Sequence, residues 1–249
     1  MVARFQPSLK NCSLTRLETY MKAQIENSLE VGWTAKNILL LTNFDFEFMG
    51  VKAQRISFIY PSLLCSKIFA VYDLFKNDYV TEELWVHDLD AWQNSWFDCL
   101  QFRDVGICKY LRSTFNGGSV FYKPEAKDIV TILSFLLRKI KGSEEPILSR
   151  LLSSAAYKHR VTVLNSTYNL GCCNFAGEYI TSEQPIRVCH FHPEVSKGVQ
   201  IHLLGKNKFN VKTVNEKLER LIRRYFHIPS VLGFKAKEPW EYQTQTVKT

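Results

Sequence analysis

Segments with helical spacing of apolar residues alternate with short, uninterrupted apolar runs through most of this 249-residue chain. Residues 13–29 carry apolar side chains every three or four positions, which predicts an amphipathic helix, with Thr15 and Glu18 as a candidate capping box. Residues 37–43 form an apolar run of the kind found in strands buried on both faces. The same alternation predicts helices over 61–76, 125–141 and 213–226 and from 143 onward, and strands over 83–87, 115–122, 161–164 and 186–190. Buried strands that alternate with amphipathic helices indicate an α/β sandwich.

The composition fits one packed domain. Hydrophobic residues make up 46% and aromatic residues 13% of the chain, which excludes a disordered, collagen-like or low-complexity protein. No repeat or Pro/Gly/Ser-rich linker divides the sequence, so we expect one domain over 1–232 and a polar tail over 233–249. No apolar run approaches the roughly 18–20 residues that cross a bilayer, and the opening residues lack the apolar core of a signal peptide. Seven cysteines without C-x-x-C spacing are typical of reduced thiols, so we expect a cytoplasmic protein.

The balance of charges predicts an anionic partner. The formal net charge is +8, which favours a nucleic acid, a phosphate ester, a nucleotide or an acidic membrane surface. Lys217, Arg220, Arg223 and Arg224 share the last predicted helix. Such a basic face is usually solvated, and the alternatives are steering of an anionic acceptor or peripheral contact with a membrane.

Two carboxylates follow a predicted strand directly. Asp88 and Asp90 come just after the apolar run 83–87, and ligands of open α/β sheets bind at the carboxyl ends of strands. Two such oxygen donors at one point would bind Mg²⁺ or Mn²⁺ and leave coordination positions for phosphate oxygens. The alternative interpretation is an aspartate pair that caps a helix beginning at Ala91.

Further motifs follow in a characteristic order. The helix that carries Lys67 leads into the strand before Asp88. After it come N-G-G at 116–118, the acidic helix start E-E-P at 144–146, L-N-S-T-Y-N at 164–169 and H-F-H at 190–192. Over residues 39–197 this set resembles the D-x-D glycosyltransferases of the glycosyltransferase-A fold. The resemblance implies a single-domain, three-layer α/β sandwich around a central mixed, mostly parallel sheet, with the nucleotide in the N-terminal half and the acceptor in the C-terminal half.

The resemblance implies a metal and phosphate site. Asp90 and a late histidine, His190 or His192, would bind Mn²⁺ or Mg²⁺ together with the diphosphate of a nucleotide sugar, with Asp88 nearer the ribose. Alternation in a strand places His190 and His192 on the same side. Lys197 is the candidate phosphate contact. The residues after the histidine differ from the compact glycogenin-like pattern, and Asn165 replaces the usual proline, so the subfamily stays open.

The resemblance also implies a sugar site. Asn116 and the backbone of Gly117 and Gly118 would approach the donor sugar closely, because glycine has no side chain. Glu144 or Glu145 would act as general base toward an acceptor hydroxyl. The alternative is that both acids are ordinary partners of the helix dipole in a first turn.

Other residues have structural interpretations that come first. His87 is expected to pack behind its strand, Cys172 and Cys173 to be structural, and His202 to lie in polar surroundings. The aromatic residues Trp92, Trp96 and Phe97 are expected in the core, with a sugar-stacking platform as the alternative.

The sequence therefore predicts metal-dependent transfer of a sugar from a nucleotide-diphosphate donor to a glycan or glycoconjugate hydroxyl. A phosphatase of the haloacid-dehalogenase type also places D-x-D after a strand, but it needs the motif early in the chain and further downstream acids. A basic nucleic-acid-binding protein is the non-enzymatic alternative, although no helix-turn-helix, RNP or zinc-finger pattern appears. The lack of a predicted anchor favours a bacterial or viral enzyme over a Golgi resident.

Overall fold

The computed structural model describes residues 1–6, 13–57, 65–97, 100–109, 114–140 and 143–228. The helices in these ranges are α1 (Leu14–Val31), α2 (Ser66–Lys76), α3 (Lys127–Lys139), α4 (Glu144–Leu152), α5 (Phe175–Thr181), the single turn α6 (Ser196–Gly198) and α7 (Glu216–Phe226). The strands are β1 (Val2–Ala3), β2 (Leu41–Thr42), β3 (Glu47–Phe48), β4 (Val51–Lys52), β5 (Gln54–Arg55), β6 (Leu84–His87), β7 (Ala91–Gln93), β8 (Val105–Lys109), β9 (Phe115–Tyr122), β10 (Val161–Leu164), β11 (Leu170–Gly171) and β12 (Val188–His190).

The strands pair in both directions, so the predicted mixed sheet is confirmed. Strands β1, β2 and β5 are parallel, in the order β1-β2-β5. In the order β10-β8-β9-β6, the first pair is parallel and the other two are antiparallel. Strand β12 is parallel to β11 and antiparallel to β7. Strands β3 and β4 are also antiparallel. Among the described residues antiparallel pairings are thus as common as parallel ones, a larger antiparallel share than the sequence suggests.

Two groups of helices pack against these strands. Apolar residues of α2, α3 and α4 form one core with β8 and β9, to which Phe75, Val105, Val120, Leu133 and Leu148 belong. A second core joins α1 and α7 to β7 and β12 through Tyr20, Trp92, Cys189 and Leu221. Each fully buried large apolar side chain contributes about 1.5–3 kcal/mol, so the two cores fix the helices against the strands.

Some element boundaries differ from the sequence prediction. The predicted capping box at Thr15 is wrong, because the Ser13 side chain caps α1 by accepting a hydrogen bond from the Arg16 N–H at 3.4 Å. Only residues 41–42 of the apolar run 37–43 pair as a strand, and a 3₁₀ turn ends at Asn37. The last helix begins at Glu216 and not at Thr213, because Asn215 accepts from the Leu218 N–H at 2.9 Å.

Several predicted features lie outside the described residues. They are Pro61, Gly142 and the polar tail over 233–249. Within the described ranges, no helix combines the length and the apolar character that a bilayer crossing requires.

Candidate functional site

The D-x-D residues form a turn between β6 and β7. The Asp88 N–H donates to the Gly118 carbonyl at 2.9 Å, which continues the pairing of β6 with β9. The Ala91 N–H then donates to the Asp88 carbonyl at 3.0 Å, and the chain continues as β7. The alternative of a helix beginning at Ala91 is therefore wrong. This turn carries both aspartates at the end of β6, where the sequence predicts the ligand site.

Strand pairing brings the late histidines to this turn. Strand β12 lies antiparallel to β7 with His190 opposite Ala91, and the Phe191 N–H donates to the Asp90 carbonyl at 2.9 Å. As a result His190 Nε2 lies 3.5 Å from Asp90 Oδ1 and 4.0 Å from Asp88 Oδ2. One ligand atom each of Asp88, Asp90 and His190 all lie within 4.8 Å of one another. We call these three residues the Asp–Asp–His cluster.

His192 contacts the same aspartate from the solvent side. Its Nε2 lies 2.8 Å from Asp90 Oδ2, and its side chain is 53% exposed. The two histidines thus share Asp90, as alternation along the strand predicts. Burial by itself raises the pKa of Asp90, but the His190 and His192 imidazoles hold it well below its usual range. Asp90 is therefore a carboxylate at neutral pH.

The His190 ring is oriented by a residue that the sequence analysis did not single out. His190 Nδ1 lies 3.1 Å from the side-chain oxygen of buried Asn169, so the Nδ1–H donates there and Nε2 faces the carboxylates. Buried Glu178 supports the same region by accepting from the Gly171 N–H at 2.7 Å, one strand away. Asn169 belongs to the L-N-S-T-Y-N segment, which was the available signal, whereas nothing in the sequence points to Glu178.

A buried lysine connects the aspartate turn to α4. Lys67 Nζ lies 2.6 Å from Asp88 Oδ1 and 3.1 Å from Glu144 Oε1, and it donates to the Gly117 carbonyl at 2.5 Å. Burial alone lowers the pKa of Lys67, but Asp88 and Glu144 outweigh burial and raise it. Lys67 is thus a permanent cation behind the cluster, and its place in the helix before D-x-D was the signal for it.

The two predicted base residues differ in their surroundings. Glu144 is buried, and burial raises its pKa to about 7, against the effect of Lys67. Glu145 is half-buried and accepts from the Gly117 N–H at 3.3 Å. Both acids therefore lie against the same glycine. Ser143 precedes them without a side-chain cap bond.

The N-G-G strand needs its glycines for close approach within the protein. A Cβ at Gly118 would lie 2.1 Å from His190 Cε1, and one at Gly117 would lie 2.5 Å from Glu144 Oε1. Asn116 turns its side-chain oxygen back to accept from the Gly118 N–H at 2.8 Å. Glu144 and His190 therefore already require glycine at positions 117 and 118.

Lys197 is not drawn into the cluster. It lies in α6 with an exposed side chain, and no hydrogen bond or ion pair joins it to the carboxylates within the described ranges. Its charge acts on Cys172, where burial raises the pKa to about 11 and Lys197 opposes the rise.

Of the remaining predictions for histidine and aromatic residues, some are confirmed and others are wrong. His87 is buried and stacks on Trp85 at 4.2 Å, and Trp92 and Phe97 belong to the core, as predicted. Trp96 differs, with 39% of its surface exposed. The polar surroundings predicted for His202 are wrong, because it is fully buried and stacks on Phe191 at 4.6 Å.

Comparison with known proteins identifies the fold. The sequence matches no protein-family profile. No curated protein matches it either. Among solved structures, the galactosyltransferase LgtC in complex with donor and acceptor sugar analogues aligns with a TM-score of 0.52 at 12% identity, over 92% of this chain and 96% of that one. The chain therefore has the glycosyltransferase-A fold that the sequence predicts.

Two further structures are more distant. A glycosyltransferase involved in glycosylation of the major capsid of PBCV-1 aligns with a TM-score of 0.48 at 11% identity, over 76% of this chain and 91% of that one. GlyE of Streptococcus pneumoniae TIGR4 aligns with a TM-score of 0.49 at 14% identity, over 92% of this chain and 59% of that one.

Proposed function

We propose that this protein is a metal-dependent glycosyltransferase that moves a sugar from a nucleotide-diphosphate donor to a hydroxyl of a glycan or glycoconjugate. The observation that carries the proposal is the Asp–Asp–His cluster at the end of β6. It lies on a fold shared with a galactosyltransferase solved with donor and acceptor sugar analogues. The shared fold does not favour the phosphatase alternative.

The donor set fits a divalent cation. Asp88 and Asp90 supply carboxylate oxygens and His190 supplies an imidazole nitrogen, with His192 beside Asp90. Carboxylates suit Mn²⁺ and Mg²⁺, and an imidazole in the set suits Mn²⁺ better than Mg²⁺. When bound, the cation stabilises the charge that develops on the departing nucleoside diphosphate.

The protein's own groups would orient the donor. Lys67 fixes Asp88 through an ion pair of 2.6 Å and fixes the turn at Gly117 through its carbonyl. Asn169 sets the His190 ring so that its Nε2 faces the carboxylates. In this proposal Asn116 and the Gly117–Gly118 backbone line the sugar, and the exposed Lys197 contacts a phosphate once a donor is present.

A general base must take the proton of the acceptor hydroxyl, and we propose different roles for the two glutamates. Glu144 is buried in the ion pair with Lys67 at 3.1 Å, which suits a positioning role. Glu145 is half-buried and lies against Gly117, so we propose that it receives the proton of the acceptor hydroxyl. The first-turn location of both acids also favours α4 through the helix dipole.

The other partners follow from the same proposal. We do not propose a nucleic-acid partner. Arg220, Arg223 and Arg224 of α7 stay a proposed peripheral contact with an anionic membrane surface, and the cytoplasm of a bacterial or virus-infected cell is the proposed compartment.

The test is the replacement of Asp90 by alanine. Replacement of a residue that only supports a metal ligand typically lowers metal affinity or activity by about 10–100-fold. Loss of a ligand itself should therefore lower Mn²⁺-dependent release of nucleoside diphosphate by at least about 100-fold. Release of UDP and GDP from a panel of nucleotide sugars measures this, with circular dichroism to confirm folding. Asp78→Ala is the matched control, because Asp78 pairs with Lys127 on the surface. Full activity of Asp90→Ala at saturating Mn²⁺ would refute the proposal.

A further inference from the structure

An open groove lies at the far end of β7 from the metal cluster. It has a volume of about 460 Å³ and is formed by the end of α1, the residues after β7 and the start of α7. Small-molecule sites typically have volumes of about 300–1,000 Å³, so the groove is large enough for a saccharide ring. Asp90 and Trp96 are six positions apart along the chain, which corresponds to at most about 20 Å. None of the residues of the cluster lines the groove.

An exposed tryptophan forms one wall of this groove. Trp96 is 39% exposed, whereas Trp92 of the same segment is fully buried. The Trp96 ring packs on Trp33 with 5.0 Å between ring centroids. Its backbone carbonyl accepts a hydrogen bond from Arg187. Trp96 thus offers aromatic surface to the groove and is fixed by Trp33 and Arg187. Aromatic rings pack on the apolar faces of sugar rings.

Asn94 and Asn215, which also line the groove, are held by hydrogen bonds. Asn94 donates to the carbonyls of Ile186 at 3.0 Å and Thr213 at 2.9 Å, and its side-chain oxygen accepts from the Asn215 N–H at 2.7 Å. These bonds join the end of β7 to the start of α7 and need no ligand to form. The groove is therefore preformed, so a ligand that enters it does not have to order its walls.

The charges of the groove argue for a neutral, hydroxyl-rich ligand. Glu30, Glu216 and Lys217 line it, which places two carboxylates against one ammonium group although the whole chain carries +8. A phosphate-bearing ligand would meet net negative charge there. Hydroxyl groups, by contrast, accept from an ammonium and donate to carboxylates. The side chains of Glu216 and Lys217 have no hydrogen bond or ion pair in the described part of the chain.

We infer that this groove binds a pyranose ring of a neutral glycan, stacked on Trp96 and hydrogen-bonded by Glu216 and Lys217. This saccharide site is separate from the Asp–Asp–His cluster. The assignment of a glycan as its ligand rests in part on the proposed function. A glycan that reaches from the groove to the Asp–Asp–His cluster would stay bound near the cluster while sugar transfer changes its reacting end. The groove would then select extended acceptors over short ones.

The experiment is a binding titration of the full chain with neutral trisaccharides of glucose, galactose, mannose and xylose. Saturation-transfer NMR and tryptophan fluorescence report binding. We expect Trp96→Ala to weaken the binding of at least one trisaccharide by tenfold or more, and Trp96→Phe to keep most of it. Phe135→Ala is the matched control, because Phe135 is also exposed but lies on α3, outside the groove, and should leave binding unchanged.

Further variants keep the test decisive. Lys217→Ala and Glu216→Gln change exposed groups, and they should weaken binding even if Trp96→Ala fails to fold. Binding that survives all three changes, or that disappears in Asp90→Ala, would overturn the inference, as would no binding of any trisaccharide at millimolar concentration. Trp96-dependent binding without sugar transfer would refute the proposed function alone, and transfer without such binding would refute the groove assignment alone.

Discussion

At the scale of single residues, the site depends on charges that are buried and paired. Lys67 and Glu144 each have about a tenth of the side chain exposed and lie 3.1 Å apart. Lys67 also pairs with Asp88, so one ammonium group serves two carboxylates. An ion pair in such surroundings adds little net stability, but the loss of one partner leaves an uncompensated charge. We expect this position to tolerate replacement poorly.

Replacement of Lys67 by methionine tests that expectation. Loss of one partner of a buried pair typically costs about 3–5 kcal/mol, and we expect a decrease of that size in the free energy of unfolding. Urea denaturation measures it. Lys127→Met is the control, because the pair of Lys127 with Asp78 is solvent-exposed and such pairs contribute about 0–1 kcal/mol. Equal losses in the two variants would contradict the buried role of Lys67.

At the scale of elements, the site lies where residues of three strands, β6, β9 and β12, come together. The turn after β6 carries the aspartates, β12 carries His190, and β9 pairs with β6 and places Gly118 against the His190 ring. The contact between β9 and β12 is so close that a methyl group at Gly118 has no room beside the His190 ring. The spacing of these strands thus fixes where the imidazole lies relative to Asp90.

Replacement of Gly118 by alanine should therefore displace His190. A Cβ at Gly118 would lie 2.1 Å from His190 Cε1, whereas one at Gly171, next to β12, would meet its nearest atom at 3.5 Å. We expect Gly118→Ala to weaken Mn²⁺ binding by at least about tenfold, the loss that misplaced metal ligands produce, and Gly171→Ala to leave it near wild type. Isothermal titration with Mn²⁺ measures both. Unchanged affinity in Gly118→Ala would argue against His190 as a ligand.

At the scale of the whole molecule, acid acts on histidines that the core holds neutral. His202 is fully buried between aromatic rings, and burial lowers its pKa from the ordinary 6.5 to about 3. A folded-state pKa below the unfolded one gives stability that is present above pH 6.5 and lost as the pH falls toward 3. The raised pKa values of His190 and His192 act in the opposite direction, so a single-site comparison is needed.

We therefore expect the free energy of unfolding of His202→Phe to depend less steeply on pH below 6.5 than that of the wild type. One proton corresponds to about 1.4 kcal/mol of unfolding free energy per pH unit below 6.5, and the variant should lack this contribution between pH 6.5 and 5. Urea denaturation at several pH values measures the slopes. Some baseline stability should also be lost, because Thr213 Oγ1 loses its partner at 2.7 Å. Parallel curves for the two proteins would show that His202 does not titrate on unfolding.

Short sequence patterns predicted most of the helices and strands. Where they failed, the failure can be traced to single residues. The strand predicted over 115–122 is confirmed at both ends, and it pairs with β6 on one side and with β8 on the other. The capping residue of α1 was misplaced by two positions, since both Ser13 and Thr15 are suitable caps and only the geometry selects one. The prediction for His202 was wrong because a lone histidine was read as a polar position, although Ile201 and Leu203 flank it in sequence and Phe191 stacks on it in the core.

The sequence by itself determined the alternation of helices and strands, the placement of two aspartates at a strand end and the same-side spacing of His190 and His192, because these follow from periods of a few residues. Only the tertiary structure decided that β12 lies beside β7, which brings His190 to an aspartate 100 positions earlier, and that Lys67 lies buried between Asp88 and Glu144. Strand pairing over such separations depends on the packing of the entire chain, and no short pattern encodes it.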